Sequence, residues 1–298
     1  MELGIIGLGR MGANMAERLV LGGHQVISFD RSPEAIQRVV DKGARGAHSL
    51  ADFIKQLALP RAVWLMVPSG DPVDQTIEQL LPSLAKGDIV IDGGNSNYKD
   101  SIRRGEKLKP HGVNFVDAGT SGGIWGLQNG YCMMVGGDKA VVDHLAPIFK
   151  TLAPPDGFLH VGPVGAGHFV KMVHNGIEYG MLQAYGEGFE LLKASQFDLD
   201  LAKVSHLWNQ GSVVRSWLLE LAESAFEKDP RLEAIKGYVD DSGEGRWTVV
   251  EAIERGVSAT VLAHSLFARF ASRQPDAFSN KFIAALRNEF GGHAVKKG

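Results

Sequence analysis

The sequence predicts an α/β fold, a doubly wound parallel sheet followed by an all-helical C-terminal region. Short β-rich runs alternate with helical patterns up to about residue 160, a glycine-rich turn joins the first strand to the first helix, and strand signals stop near residue 165. Alternation at this spacing argues for parallel strands joined by crossover helices. "LGII" opens the sheet and leads into "MGANMAERLVLGG"; "QVISFD" leads into "SPEAIQRVVDKG"; "AVWLMV" leads into "DPVDQTIEQLLPSL". "DIVIDGG" precedes "SIRRGEKLKPHG", "NFVDAG" and "YCMMVGG" follow, and "AVVDHLAPIFKTL" leads to the last strand, "GFLHVG". Beyond it helices are expected at about 168–194, 199–210, 213–226, 231–236, 247–255, 257–273 and 279–288. The Gly/Pro turn "GPVGAG" at 162–167 feeds the first of these, so the expected domains are 1–164 and 165–298.

Composition narrows the functional classes. A chain of 298 residues, 44% hydrophobic and 22% charged, is an ordinary soluble globular composition. A net charge of −3 offers no basic field for nucleic acid. No apolar run reaches the length of a membrane span, and no secretory leader is visible, so a cytoplasmic location is expected. Cys132 is the only cysteine, which excludes an internal disulfide framework; it sits in an apolar run and reads as a buried small hydrophobe. No cluster of His, Asp and Glu has metal-ligand spacing, so no metal is expected.

Gly7, Leu8, Gly9, Arg10, Met11 and Gly12 spell G-x-G-x-x-G between a strand and a helix. The first glycine permits the tight turn, the second lets backbone approach a pyrophosphate, and the third lets helix pack on strand. This is the dinucleotide turn of a Rossmann-type sheet. Asp30 ends the next strand, where a carboxylate accepts from an adenosine ribose diol and favours NAD. Arg31, followed by Ser32, is able to stack on adenine or pair with a 2′-phosphate, which keeps NADP as the second candidate. Val67, Pro68 and Ser69 follow the next strand and complete the expected cofactor contacts with Asn95.

The stretch "KMVHNGIEYG" places Lys171, His174, Asn175 and Glu178 at i, i+3, i+4 and i+7, one face of a helix. That face carries a potential base, an imidazole, an amide and a potential acid where a core helix normally shows apolar groups. Gly176 and Gly180 each cost about 1 kcal/mol against Ala in a helix, so close backbone approach is the expected reason for them. His160 and His168 read as structural.

Together with the cofactor turn, "IDGGNS", "DAGTSGG" and "GAGHFVKMVHNGIEYG" resemble the 6-phosphogluconate dehydrogenases, within the wider β-hydroxyacid dehydrogenase superfamily. "GRWTVVEAIERGV", "FARFASR" and "RNEFGGH" extend the resemblance to the short form of that family. The resemblance implies oxidative decarboxylation of 6-phosphogluconate to ribulose 5-phosphate and CO2. Lys171 matches the base that takes the C3 hydroxyl proton, and burial beside the positive nicotinamide lowers the pKa of such a lysine. Glu178 matches the acid that protonates the enediol, two helical turns or about 10.5 Å away along the axis. Asn175 and His174 match groups that hold hydroxyls and carboxylate. Ser121, Gly122 and Gly123 match the carboxylate-end turn, and Asn95 a contact to nicotinamide and substrate. Tyr179, Arg269 and Arg287 match the phosphate ligands, and His293 a group that closes the site from the tail. The short helical region predicts an obligate homodimer, or a dimer of dimers, with intertwined helical domains, and the resemblance implies that the tail carrying Arg287 and His293 completes the partner's site.

Two departures stand out. Where long forms carry a phosphate-binding lysine before G-x-G-K-W, this chain has Ser242 in "SGEGRW", so either phosphate binding weakens or Arg246 compensates. After Ser-Gly-Gly, Ile124 and Trp125 replace acidic residues. The competing reading is a β-hydroxyacid dehydrogenase for a small acid such as 3-hydroxyisobutyrate or tartronate semialdehyde. Such an enzyme needs the lysine but neither a phosphate clamp nor an acid at Glu178.

Overall fold

The computed structural model describes residues 1–296, so the last two residues of the expected helical domain lie outside it. The chain divides into two compact units, Met1–His174 and the chain from Asn175 onward. The division falls inside one continuous helix, ten residues beyond the expected boundary at 164.

The first unit runs β1 (Glu2–Ile6), α1 (Arg10–Leu21), β2 (Gln25–Phe29), α2 (Pro33–Val40), β3 (Arg45–Gly46), α3 (Leu50–Lys55), β4 (Ala62–Leu65) and α4 (Asp71–Leu80). It continues with β5 (Ile89–Asp92), α5 (Tyr98–Leu108), β6 (Asn114–Ser121), α6 (Gly126–Asn129), β7 (Cys132–Gly136), α7 (Lys139–Leu152) and β8 (Phe158–Gly162), and enters α8 (Ala166–Lys193). Strands lie in the order β3-β2-β1-β4-β5-β6-β7-β8, so the order reverses between β1 and β4. Neighbours are parallel except β6 and β7, which pair antiparallel from Asp117↔Gly136 to Ser121↔Cys132. The expected all-parallel sheet is corrected there: a glycine turn and the single turn of α6 replace a crossover helix, and a direct return reverses the strand. The sequence reading also missed β3 and α3, both too short to show a period.

The central strands β1, β4 and β5 are buried on both faces, which is why they read as continuous apolar runs. Ile89 and Ile91 pack with Met15, Leu19, Leu145 and Phe149 of α1 and α7, while Val90 packs with Phe53, Val73 and Ile77 of α3 and α4. Alternate residues of one strand thus feed two different cores. Cys132, expected to be buried, is exposed. It is the first residue of β7, ahead of the part of the strand that α-helices cover.

The second unit holds the rest of α8, then α9 (Leu201–Asn209), α10 (Trp217–Lys228), α11 (Glu244–Glu254), α12 (Thr260–Ser272) and α13 (Phe278–Gly291). Phe189, Leu201, Leu219 and Phe226 form its core. The helix expected at 231–236 is absent. The Asp229 carboxylate accepts from the Arg231 and Ala234 amides, a side-chain turn that competes with helix, and Leu232 takes a φ of 53°.

One buried ion network ties α4, α5 and the end of β5. Arg104, fully buried, donates to Asp74 at 3.0 Å, to Asp92 at 3.1 Å, to Ser96 Oγ at 3.2 Å and to the Gly70 carbonyl at 3.0 Å. Burial raises the Asp74 carboxyl, but hydrogen bonds from Arg104 and then Arg103 outweigh it and hold the pKa down to about 2. Arg104→Met strands the Asp92 carboxylate in the core and is expected to cost about 3–5 kcal/mol in urea unfolding at pH 7. The Asp74 share of that stability is present above its unfolded pKa of about 3.9 and is lost as pH falls toward 2. The gap between wild type and variant should therefore narrow below about pH 4.

Candidate active site

The glycine turn is built as its spacing requires. Gly7 sits at φ 95°, and a Cβ there would lie 2.5 Å from the Met66 carbonyl oxygen. A Cβ on Gly12 would collide with the Gly7 carbonyl. Gly9 caps α1 with no side chain bonded to the first-turn amides, which leaves them to a phosphate. Leu8 donates its amide to Asp30 Oδ2 at 2.6 Å and Ser32 donates its own to Asp30 Oδ1 at 2.9 Å. Asp30 therefore braces the turn and keeps further lone pairs for a diol. The Ser32 hydroxyl caps α2 and donates to Glu34 at 2.7 Å, and that hydrogen bond holds the Glu34 carboxyl below its usual range. Arg31 is exposed. The open cradle, free helix end and placed carboxylate fit a nicotinamide dinucleotide.

The other predicted groups of this unit also lie just beyond strand ends, on the edge where open α/β sheets take ligands. Val67, Pro68 and Ser69 follow β4, with Pro68 and Ser69 exposed. Asn95 is exposed on the loop after β5. Beneath it Asp92 accepts from Ser96 Oγ at 2.7 Å and from the Gly94 amide at 3.2 Å. After β6, Gly122 and Gly123 take φ values of 131° and 54°, which side-chain-bearing residues rarely adopt. Asn14 of α1 donates to the Ile124 carbonyl. Ile124 and Trp125 stand half exposed, at 50% and 48%. Tyr131 packs below this turn: a Cβ on Gly126 would strike its ring, and burial pushes its hydroxyl up to about 12.

Helix α8 brings the stripe. Its N-terminal end is gripped by Asp117 of β6, fully buried, which accepts from the Gly165 amide at 2.7 Å and the His168 amide at 2.8 Å. His168 is buried, as a structural residue should be, with Nδ1 2.7 Å from Ser101 Oγ. Lys171 is only 7% exposed and crosses β6 at Gly119, where a Cβ would lie 2.5 Å from Lys171 Cβ. His174 and Glu178 are half-buried and Asn175 is buried. Because α8 is unbroken from Ala166 to Lys193, helix geometry alone keeps these four on one face.

In the second unit, a Cβ on Gly176 would sit 2.6 Å from Thr248 Cγ2 and one on Gly180 3.3 Å from Val261 Cγ1. Close approach of α11 and α12 is thus the reason for both glycines. Tyr179 is buried, with the Arg269 guanidinium 3.5 Å over its ring. Arg246 does not stand free to replace the missing lysine: it donates to Asp241 at 2.7 and 3.0 Å. Arg287 and His293 are exposed at the end of α13 and make no hydrogen bond or ring contact with Tyr179 or Arg269 among the described residues. His293 instead faces Phe290 and accepts from Asn288 through its carbonyl.

Sequence reasoning missed the buried supports beneath these groups. Arg104 hides among the charges of "YKDSIRRGEKLK", which reads as a solvated helix, and Asp117 looks like one more strand residue. Among the described residues no helix is long and apolar enough to cross a membrane.

Comparison with known proteins places this architecture. Residues 2–162 match the family described as the NAD binding domain of 6-phosphogluconate dehydrogenase, and residues 167–285 match the 6-phosphogluconate dehydrogenase C-terminal domain. The Bacillus subtilis protein YqeC, provisionally named a 6-phosphogluconate dehydrogenase, is 48% identical over the full length of both chains. The NAD(+)-dependent, decarboxylating 6-phosphogluconate dehydrogenase of Haloferax volcanii is 47% identical, over 100% of this chain and 99% of that one. The solved Plasmodium falciparum 6-phosphogluconate dehydrogenase superposes with a TM-score of 0.84 at 30% identity, and this chain spans 66% of its length. With both halves matched and full-length relatives at nearly half identity, the chain belongs to the 6-phosphogluconate dehydrogenase family.

Proposed function

We propose that this dehydrogenase oxidatively decarboxylates 6-phospho-D-gluconate to D-ribulose 5-phosphate and CO2, with NAD preferred over NADP. The carrying observation is the polar stripe of α8, with Lys171 buried against the bare backbone of Gly119. The equal length and named activity of the Haloferax relative support it. A bound nicotinamide dinucleotide would supply the hydride acceptor.

In this reading Lys171 takes the C3 hydroxyl proton as hydride leaves that carbon. The protonated lysine then supports the new carbonyl oxygen while the C1 carboxylate departs as CO2. Glu178 protonates the resulting enediol carbon, which becomes C1 of the product. Asn175 and His174 hold hydroxyls, and Ser121 with the Gly122 and Gly123 amides holds the carboxylate end. Asn95 contacts substrate and nicotinamide. Tyr179 and Arg269 bind the phosphate, where a guanidinium fork suits the oxygens. Lys171→Met is expected to lower kcat by about 10²–10⁴. Glu178→Gln should leave the hydride step and slow the later half, seen as reduced nicotinamide and CO2 formed ahead of ribulose 5-phosphate. Near-normal turnover by the lysine variant would overturn the assignment.

The NAD preference rests on two carboxylates. Asp30 stands where it would repel a 2′-phosphate, and the Ser32 hydroxyl is already donated to the Glu34 carboxylate rather than offered to one. Wild-type kcat/KM should favour NAD by about tenfold or more, and Asp30→Asn should narrow the ratio by a similar factor, about 1.4 kcal/mol. A strong wild-type preference for NADP would show that Arg31 dominates.

The tail points to a second copy of the chain. No residue of α13 is buried, yet Phe278 and Phe290 are 80% and 77% exposed and Phe282, Ile283 and Leu286 are exposed beside them. Burying such a face contributes about 25 cal/mol per Å². A homodimer, alone or paired into a tetramer, covers it and brings Arg287 and His293 to the partner's Tyr179 and Arg269. Mixing inactive Lys171→Met and Arg287→Ala chains, refolded together, should restore activity through hybrid sites. A dead mixture that forms mixed oligomers would place the tail in its own subunit's site.

A further inference from the structure

The phosphate reading leaves a chemical gap at Ser242, and the segment around it shows how the gap is filled. Residues 240–243 lie between α10 and α11 without regular secondary structure, yet they hold two of the proposed phosphate ligands, Tyr179 and Arg269. The Ser242 amide donates to Tyr179 Oη at 3.3 Å. Arg269 donates Nη1 to the Asp240 carbonyl at 2.8 Å. An amide on the phenol oxygen turns the hydroxyl proton away from the segment, ready for an acceptor. A carbonyl on one guanidinium N–H leaves the other donors of Arg269 for an oxyanion, because among the described residues no carboxylate pairs with it.

The segment is itself pinned. Asp241, with its side chain 3% exposed, accepts two hydrogen bonds from Arg246 and one from Arg273 at 3.0 Å. Those bonds, Arg246 first, hold its carboxyl below the usual range. Ser242 Oγ donates to Glu244 Oε2 at 2.6 Å, so the hydroxyl at the missing lysine's place is not offered to a ligand. Glu244 is 2% exposed and its Oε1 has no partner. The Val239 amide donates to Ser272 Oγ at 3.0 Å. Two arginines and a buried glutamate are therefore committed to one four-residue loop rather than to substrate.

We infer that Asp241 is a positioning residue for anion binding: by locking the 240–243 loop it presets the Tyr179 hydroxyl and the Arg269 guanidinium. Preorganised donors then replace the cation that position 242 lacks, since a clamp that needs no rearrangement loses less affinity to ordering. This rests on the phosphate reading proposed above. The test is Asp241→Asn in the full-length enzyme, which keeps size but removes the charge that gathers Arg246 and Arg273. KM for 6-phosphogluconate and the inhibition constant of inorganic phosphate should both rise about tenfold, the scale of one charge-assisted hydrogen bond lost. The KM for NAD should change less than about twofold. Adding Ser242→Lys to the variant should recover most of the lost phosphate affinity by supplying the cation directly. Unchanged KM and phosphate inhibition in a folded variant would overturn the inference while leaving the function intact. A parallel loss of NAD affinity and melting temperature, without rescue by the lysine, would overturn it as well and mark Asp241 as a fold residue. A wild-type enzyme that neither turns over 6-phosphogluconate nor responds to phosphate would remove the function and the inference together.

Discussion

The Asp117 carboxylate is the constraint on which the rest of the first unit's site depends. It is fully buried in β6 and accepts the Gly165 and His168 amides at the start of α8. A negative charge there satisfies amides that have no intrahelical partner and meets the positive end of the helix dipole. Two residues on, Gly119 lets α8 cross β6 closely enough for Lys171 to lie against backbone. Two residues further, Ser121 begins the Ser-Gly-Gly turn. One strand thus anchors the helix, clears room for its lysine and leads into the Ser-Gly-Gly turn, so an error in its register would displace all three.

The same device recurs at neighbouring strand ends. Asp30 beyond β2 accepts the amides of Leu8 and Ser32. Asp92 at the end of β5 accepts from Ser96, Gly94 and Arg104. These carboxylates hold loops by their backbone or by a buried arginine, and the loops then present exposed groups such as Asn95. Building rigid supports under mobile-looking loops is how a site keeps its geometry. In the second unit Asp241 stands in the same relation to the 240–243 loop, with Arg246 and Arg273 as its partners.

Much of this was legible because function left dense local patterns. Gly7, Gly9 and Gly12 announce their turn through spacing, and Lys171, His174, Asn175 and Glu178 announce a helix face through a period that polar core residues do not normally keep. The two helical glycines, Gly176 and Gly180, were readable as contact points though their partners were not. Local patterns failed where competition was local too. Asp229 turned an apparently helical 231–236 into a side-chain turn, and Cys132 came out exposed at the lip of β7.

What the sequence by itself determined was the period of burial, the glycine turns and the order of chemistry-bearing groups along α8, because each depends on neighbours within a few residues. The tertiary structure alone decided that Arg104 is a buried hub, that β6 and β7 run antiparallel, that Arg246 answers Asp241, and that α13 has no buried face. Arg246 meets Asp241 only five positions away, but Arg104 turns on partners far along the chain, and hydrogen bonds such as Arg104–Asp74 or Asp117–His168 join residues 30 and 51 positions apart. Closing loops of that length costs entropy that only the assembled core offsets, so nothing in the local spacing of residues records which pairs will meet.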